Sequence, residues 1–280
     1  MQNRSPAPLR SLSFSEGMGW LIKSFALLRV RTGRLLLIAV LMQVILGLTQ
    51  LPLIGFLVIV SVPALSAGIL EAFDVTRRGG LPTINLLFRP LLSGTHTGRL
   101  FLLGALVFVA GILSMSLALS GSAGELDPAL MSRLEQGDIE SLSQLDQEAI
   151  GRLALAFLIG VSVSGTLSYF TIPLIWFGDR KILPALLEGL QALVVNWRPF
   201  VMLLLGLVVM LIPVALISGV LISLAGSGGV LSVIVMTAIM ILMLAFQMLL
   251  FGAQYCSYLE IFGAREDLEP PPEDDGQLVA

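Results

Sequence analysis

The sequence predicts an all-α, polytopic integral membrane protein with six transmembrane helices. Apolar residues make up 56% of the 280 residues and charged residues only 12%, and the mean hydropathy is +0.94. Six apolar runs, uncharged except for Glu71 near the end of the second, approach the roughly 20 residues that a helix needs to cross the hydrocarbon layer of a bilayer. Basic residues fall almost entirely into alternate connections between these runs, which is the charge distribution of a chain threaded through a membrane.

Each of the six runs predicts a helix, because an open strand cannot satisfy its backbone polar groups in lipid. The runs cover residues 35–50, 53–73, 100–119, 153–177, 200–224 and 230–258. The first run is short, so either the Leu51-Pro52 turn also lies within the bilayer or the helix begins earlier. Pro63, Pro173 and Pro213 fall inside runs, where each removes a backbone donor and can kink its helix.

Residues 1–34, before the first run, form a predicted cytoplasmic N-terminal segment with an interfacial helix. Apolar residues from Met18 to Leu28 recur at helical spacing, whereas Lys23 and Arg29 fall away from them. In this interpretation Trp20 lies at headgroup depth. The alternative is a short helix that packs on the protein's own cytoplasmic face.

The orientation follows from the basic residues, because cytoplasmic loops retain positive charge. Of the 16 Lys and Arg residues, all but Arg133 and Arg152 lie on one side of the predicted membrane. Both termini are therefore predicted to be cytoplasmic.

The same orientation places residues 120–151 outside, as an acidic loop. This loop is predicted to be either a solvated cap or a site for a cation or basic partner. The composition of residues 263–280 predicts a disordered, acidic, Pro-rich cytoplasmic tail.

Three similar units follow one another along the chain. Residues 32–35 (Thr-Gly-Arg-Leu) open the first run, residues 97–100 repeat these four letters before the third, and residues 196–199 (Asn-Trp-Arg-Pro) precede the fifth. An amphipathic stretch comes before each of them. We therefore predict three units, each an interfacial helix followed by a transmembrane hairpin.

The connection between the second and third runs contains the best predicted contact surface. Its arginines could meet anionic lipid headgroups or a protein partner that is not identified by the sequence. The alternative is that they only set the orientation of the chain. The candidate contact residues are Arg77, Arg78, Arg89 and Arg99.

Polar residues within the predicted spans are concentrated in the fourth run. Small and hydroxyl-bearing side chains let helices approach closely, and they can also line a cavity for a substrate. Both uses remain open for this run. The candidate packing or cavity-lining residues are Gly160, Ser162, Ser164, Gly165, Ser168 and Pro173.

The composition disfavours most kinds of catalysis and coupled transport. With one histidine and one cysteine, the chain lacks a histidine/cysteine metal centre. Asp, Glu, Lys, Arg and His are absent from the interiors of the runs, and Glu71 lies near the cytoplasmic end of the second run, whereas proton- or ion-coupled carriers keep such residues within the membrane. A serine nucleophile in the fourth run would also lack an activating base. We therefore predict no catalytic residue, metal or cofactor, and no nucleic-acid partner.

Several short motifs follow one another along the chain: Pro-Leu-Ile-Gly at 52–55, Val-Pro-Ala-Leu-Ser-Ala-Gly at 62–68, Leu-Phe-Arg at 87–89, Ile-Leu-Pro-Ala-Leu-Leu-Glu-Gly-Leu at 182–190 and Asn-Trp-Arg-Pro-Phe at 196–200. Together they resemble uncharacterised bacterial inner-membrane proteins that are grouped as a domain of unknown function. This resemblance covers most of residues 13–262. It implies a bacterial cytoplasmic membrane and an all-helical fold, and it assigns no catalytic residue.

Two functions agree with these expectations. The first is a non-enzymatic membrane protein that organises lipid or a protein partner through its cytoplasmic surface. The second is a permease or exporter for an apolar or amphipathic molecule, which would use the fourth span and would need no ionisable coupling residue.

Overall fold

The computed structural model describes residues 9–120, 147–225 and 229–263, and within these ranges the chain forms helices and no strand. Six of the described helices are long and apolar enough to cross a membrane, which confirms the predicted all-α polytopic class. The helices are α1 Glu16–Val30, α2 Thr32–Gly47, α3 Pro52–Arg77, α4 Asn85–Phe88, α5 Thr95–Ser120, α6 Gln147–Ser168, α7 Thr171–Trp176, α8 Ile182–Val195, α9 Trp197–Ala225 and α10 Val230–Phe262. Most of the predicted acidic loop, and the predicted tail from residue 264, lie outside the described residues.

The membrane-compatible helices match the predicted runs and extend a few residues beyond several of them. The first begins at Thr32, so an earlier start accounts for its apparent shortness. The first helix therefore includes Arg34, which lies outside the predicted run. In the same way, the second helix includes Arg77 and the third includes Arg99. The predicted runs exclude these arginines, whereas the helices continue past them because long basic side chains can reach water.

Helix α3 lies at the centre of the bundle. In its most apolar stretch 78% of the residues are buried, against 11–22% in the other five spanning helices. Glycines allow its neighbours to come close: a Cβ added to Gly104 of α5 would collide with the Val60 carbonyl of α3, and one added to Gly68 would lie 2.7 Å from the Cα of Leu87 beside α3. Because a methyl group has no room at these points, the backbones themselves are in contact.

Helix α1 packs on the protein and does not present its tryptophan to the surroundings. Trp20 is fully buried, its ring lies 5.1 Å from that of Phe200, and its indole N–H donates to Glu260 (2.8 Å). The Ser24 hydroxyl donates to the carbonyl of Leu249 (2.7 Å). The geometry therefore favours the second interpretation of this segment, in which α1 docks on the bundle, here on α9 and α10.

A short helix precedes each of the three hairpins, in the order that the sequence predicts. Helix α1 leads into α2 and α3, α4 into α5 and α6, and α8 into α9 and α10. Each short helix contacts the end of another hairpin: α4 lies on α3, α8 on α7, and α1 on α10. Each unit therefore contacts both of the others. The middle short helix has only four residues, because Arg89-Pro90 continues as a 3₁₀ turn.

Two of these contacts contain an ion pair at a corresponding place. Glu71 lies near the end of α3, and Glu260 lies near the end of α10. Glu71 pairs with Arg89 beside α4, and Glu260 pairs with Lys23 of α1. In both, a carboxylate on a spanning helix pairs with a cation from the docked short helix or from the 3₁₀ turn that follows it.

The fourth span is interrupted where α6 ends and α7 begins. Pro173 has no N–H, so the carbonyl of Tyr169, four residues earlier, lacks its helical donor. The side-chain amide of Gln254 on α10 donates to this carbonyl instead (2.6 Å). By contrast, Pro63 and Pro213 lie inside helices that continue past them.

Candidate functional site

The fourth span packs on the third through its small residues. A Cβ added to Gly160 of α6 would lie 2.9 Å from the carbonyl oxygen of Gly111 on α5. One turn further along α6, the Ser164 hydroxyl donates to the carbonyl of Val107 (3.2 Å). Gly160 and Ser164 therefore lie in a close helix contact of the kind that small residues permit.

A groove of about 420 Å³ lies beside this contact, between α3, α5 and α6. Its volume is within the range of pockets that bind small molecules. The groove is open along one side, where the apolar side chains of Phe157 and Val161 are exposed. A Cβ added to Gly165, which also lines the groove, would meet no atom within 4 Å. The groove therefore contains free space next to the α6 backbone.

The lining of the groove is almost entirely apolar in its chemistry. None of its lining residues, all of which the structure describes, is ionisable. Two of its hydroxyl groups already donate to backbone carbonyls, since Ser164 bonds to Val107 and Ser168 bonds to the carbonyl of Ser164 (2.8 Å). Such a surface can hold a hydrocarbon but provides no side chain that exchanges a proton near neutral pH.

The structure brings four of the six candidate residues of the fourth span together in this groove. They are Gly160, Ser164, Gly165 and Ser168. Ser162 lies on an exposed part of α6, and Pro173 is buried in α7. Helix α6 thus provides both a close contact with α5 and part of the lining of the groove. Helix packing and cavity lining, the two uses that the sequence left open, therefore occur side by side.

Other helices contribute residues that the sequence analysis missed. Pro63 of α3 and Gly104 and Gly111 of α5 complete the groove. The two glycines are one heptad apart, and this spacing could have pointed to a contact face on the third span. No local signal shows that this face meets both α3 and α6.

The four arginines predicted to contact lipid or a partner are each paired with a carboxylate. Arg78 lies 2.9 Å and Arg77 3.4 Å from Asp74, Arg99 lies 2.7 Å from Asp179, and Arg89 pairs with Glu71. The side chains of Arg78 and Arg89 nevertheless remain 69% and 64% exposed. Arg77, Arg89 and Arg99 connect separate parts of the fold, whereas Arg78 pairs with Asp74 one helical turn earlier. The contact of all four arginines with lipid or a partner stays a prediction.

The contact of Arg77 ties α3 to α10. The Nε–H of Arg77 donates to the hydroxyl of Tyr255 (2.9 Å), and that hydroxyl donates to Asp74 (2.6 Å). The tyrosine therefore shares the carboxylate with the arginine. This network joins α3 and α10 at the end of the bundle where α3 ends and the chain continues to α4.

Arg99 makes a second connection, between α5 and the loop that follows α7. It donates to the carboxylate of Asp179 and to the carbonyls of Asp179 and Arg180, and His96 lies 3.2 Å from the same carboxylate. The hydrogen bond from Arg99, aided by its charge, lowers the pKa of Asp179 below its ordinary value. Asp179 is therefore ionised at neutral pH and holds the loop against α5.

No group of three or more His, Cys, Asp or Glu residues in the described part of the chain could hold a metal ion. Cys256, near the end of α10, is buried. No family model, curated protein or solved structure matches the chain.

Proposed function

We propose that this chain is a non-enzymatic membrane protein that binds and organises bilayer lipid, and that an acyl chain occupies the groove between α3, α5 and α6. The supporting observation is the groove itself. The groove is apolar and has no ionisable lining residue. It opens on the side of three helices that can span a membrane, where it would face the bilayer. A hydrocarbon chain is the molecule that surrounds such helices in a bilayer.

The position of the groove supports an acyl chain over a water-soluble ligand. Its lining residues lie well inside the three apolar helices, from Ile59 to Ser66 on α3 and from Gly104 to Met115 on α5. A polar molecule would lose its hydration at this depth and would find few hydrogen-bonding groups in the lining, at a cost of several kcal/mol (about 2–7 for an uncompensated polar group). A lipid chain can enter from the side without that cost.

The proposed location is the bacterial cytoplasmic membrane, with both termini in the cytoplasm. The sidedness of the basic residues supports this orientation. Helix α8 adds support, because it packs through Ala185, Gly189 and Ala192 and leaves Leu187 and Val194 exposed. A helix with small residues toward the protein and large apolar residues outside suits the membrane interface.

Substitution of Gly165 with leucine tests whether the groove binds lipid. The new side chain would begin in the free space beside Gly165, where a Cβ meets no atom within 4 Å, and it should occupy part of the groove that Gly165 lines. Gly219→Leu on α9 is the matched control, because it also adds a leucine side chain at an open glycine of a spanning helix outside the groove. We expect native mass spectrometry of gently extracted protein to show lipid bound to the wild type and to Gly219→Leu.

The same spectra should show at least one fewer lipid per chain for Gly165→Leu. A phospholipid with a photoactivatable acyl chain provides the second measurement, and its crosslinks should map to α5 and α6. Equal lipid retention by the two leucine variants, together with crosslinks spread evenly over all spanning helices, would contradict lipid binding in the groove.

A permease for an apolar molecule is the second candidate function. It is supported by the free space beside Gly165, which a moving solute could use. Transport of a lipophilic fluorescent dye by proteoliposomes distinguishes the two functions. A flux above that of protein-free liposomes, abolished by Gly165→Leu and kept by Gly219→Leu, would favour the permease, whereas lipid retention without flux would favour lipid binding.

A further inference from the structure

A pair of glutamines lies on the outer surface of the bundle, between α2 and α10. The side-chain amide of Gln43 on α2 donates to the side-chain carbonyl of Gln247 on α10 (2.6 Å). Gln43 is exposed, and Gln247 is half-buried. Both residues fall in the middle third of helices that can span a membrane, so the pair lies near the centre of the hydrocarbon layer. A polar pair is therefore presented to the most apolar part of the bilayer.

Most of the hydrogen-bonding capacity of these two amides is unused. Each glutamine side chain has two N–H donors and one carbonyl oxygen that accepts. Within the described part of the chain, the bond between Gln43 and Gln247 is the only one that either amide makes. The other N–H of Gln43, its carbonyl oxygen and both N–H groups of Gln247 are left without partners. In hydrocarbon no water replaces these partners, so each of the groups is costly.

Two exposed hydroxyl groups on the spanning helices show a different arrangement. The hydroxyl of Thr166 on α6 donates to the carbonyl of Ser162 (2.8 Å), and the hydroxyl of Thr237 on α10 donates to the carbonyl of Val233 (2.8 Å). A threonine is thus satisfied within its own helix. The glutamine pair is not, and its remaining N–H groups require acceptors from outside the chain.

Gln247 belongs to a stripe of exposed side chains along α10. The other members are Met236, Met240, Met243 and Leu250, and successive positions are alternately four and three residues apart. This spacing places side chains along one face, as in helices that pack against each other over a long distance. A single polar residue in such a stripe fixes the register of the partner helix. Methionine side chains adapt readily to a facing surface.

Helix α2 carries a similar stripe next to Gln43. Leu37, Val40, Val44 and Gly47 are exposed and follow the same alternation of three and four residues. A Cβ added to Gly47 would meet no atom within 4 Å, so another helix can approach the backbone closely there. The hydrogen bond between Gln43 and Gln247 places the two stripes on the same side of the bundle. Together they form one face, which we call the glutamine surface.

We propose that the glutamine surface is the interface of a homodimer whose two-fold axis lies along the membrane normal. This axis keeps both copies in the same orientation and places their glutamine pairs at the same depth. The partially positive N–H groups of Gln247 can then donate to the partially negative carbonyl oxygen of Gln43 in the second copy, and the reverse bond follows by symmetry. The charges on the surface are therefore complementary to those on an identical surface.

This self-complementarity favours a second copy over lipid or an unrelated helix. An acyl chain provides neither a donor nor an acceptor at the bilayer centre, and an unrelated helix would need its own polar group at that depth. The inference does not depend on the groove, because none of the residues that line the groove belongs to α2 or α10.

Self-association of the full-length protein in liposomes tests this assignment. Energy transfer between copies labelled at the C-terminus is measured over a range of protein-to-lipid ratios and gives the dimerisation constant. The test variant combines Gln43→Leu and Gln247→Leu, which removes both amides and keeps the side chains large. Thr166→Leu is the matched control, because it also replaces an exposed polar residue with leucine but lies on α6. Val44→Trp keeps both glutamines and places a bulky ring on the glutamine surface.

We expect the wild type and Thr166→Leu to dimerise with constants within about twofold of each other. One hydrogen bond between helices in a membrane changes an equilibrium constant by about 3- to 17-fold. The two-fold axis provides two such bonds, so the double leucine variant should dimerise at least about tenfold more weakly. Val44→Trp should also weaken dimerisation, with an unchanged far-UV circular dichroism spectrum. Gly165→Leu should have no effect, which separates this interface from the groove.

Cysteine crosslinking provides the second measurement. Met243→Cys should form a disulfide-linked dimer under mild oxidation, since the axis brings the two glutamine surfaces together. Leu158→Cys, an exposed position on α6, should not. A wild type that stays monomeric at every protein-to-lipid ratio would overturn the proposal. Unchanged dimerisation in both the double leucine variant and Val44→Trp, or stronger crosslinking at position 158 than at position 243, would also overturn it.

Discussion

Replacement of Glu260 with alanine should weaken the docking of α1 on the bundle. The carboxylate of Glu260 accepts a hydrogen bond from the indole N–H of Trp20 (2.8 Å) and pairs with Lys23. Both partners belong to α1, and α1 joins the first unit to the third. Trp20 is fully buried, whereas the Lys23 side chain is 52% exposed. The two contacts should therefore differ in their contributions to stability.

The difference in burial determines which contact matters more. A buried N–H left without an acceptor costs about 1–3 kcal/mol, and Glu260→Ala leaves Trp20 in that condition. An exposed ion pair contributes at most about 1 kcal/mol, so the loss of the contact with Lys23 adds little. We expect Glu260→Ala to lower the free energy of unfolding by about 2–3 kcal/mol, with Trp20 responsible for most of it.

Thermal unfolding in a mild detergent, followed by far-UV circular dichroism, measures this effect. Since 1 kcal/mol shifts the midpoint of a chain of this size by about 2–4 °C, Glu260→Ala should lower it by about 4–12 °C. Glu260→Gln keeps an acceptor for Trp20, and Lys23→Gln keeps the indole contact, so each should lower the midpoint much less. If Lys23→Gln destabilised the protein as much as Glu260→Ala, the ion pair would be the main contact and our reasoning from burial would be refuted.

Three further predictions concern helix packing, pH and orientation. Gly160→Ala should lower the thermal midpoint because its Cβ has no room against α5, whereas Gly165→Ala should leave it nearly unchanged; equal effects would contradict the described contact. Arg99 lowers the pKa of Asp179, so the stabilisation from this carboxylate is present above its ordinary pKa of 3.8 and is lost as the pH falls through the lower folded value. An Asp179→Asn variant should therefore lose less stability than the wild type between pH 7 and pH 3. An equal loss of stability in the two proteins would refute a stabilising role for the ionised Asp179. A cysteine at Gln50 should react with an impermeant maleimide from outside the cell and one at Thr83 only after lysis, since the native cysteine is buried; the reverse pattern would invert the proposed topology.

The sequence predicted some of the site residues but not the way in which they meet. Gly160, Ser164, Gly165 and Ser168 stand out because they are small or polar in an apolar span, and all four line the groove. The sequence could not show which of them pack against a helix and which line a cavity, because the neighbours of α6 depend on how the helices pack in three dimensions. The structure shows one side of α6 in contact with Gly111 and open space beside Gly165.

The charged residues illustrate the same limit. Arg77, Arg78, Arg89 and Arg99 were visible in the sequence as a basic surface, yet each has a carboxylate partner in the fold. Some of these partners are close in sequence, as Asp74 is to Arg78. Others are distant, such as Asp179, and only the packing of α5 against the loop after α7 brings them together.

The sequence by itself determined the class of the protein and the number of spanning helices. A bilayer imposes the same length and polarity on every span, so each helix can be recognised from its own residues. Only the tertiary structure decided where Trp20 lies and which glycines form a contact or a groove. Spans that are apolar on all sides carry little periodic signal for a buried face. The choice of face depends on small residues and hydrogen bonds between helices that are far apart in sequence.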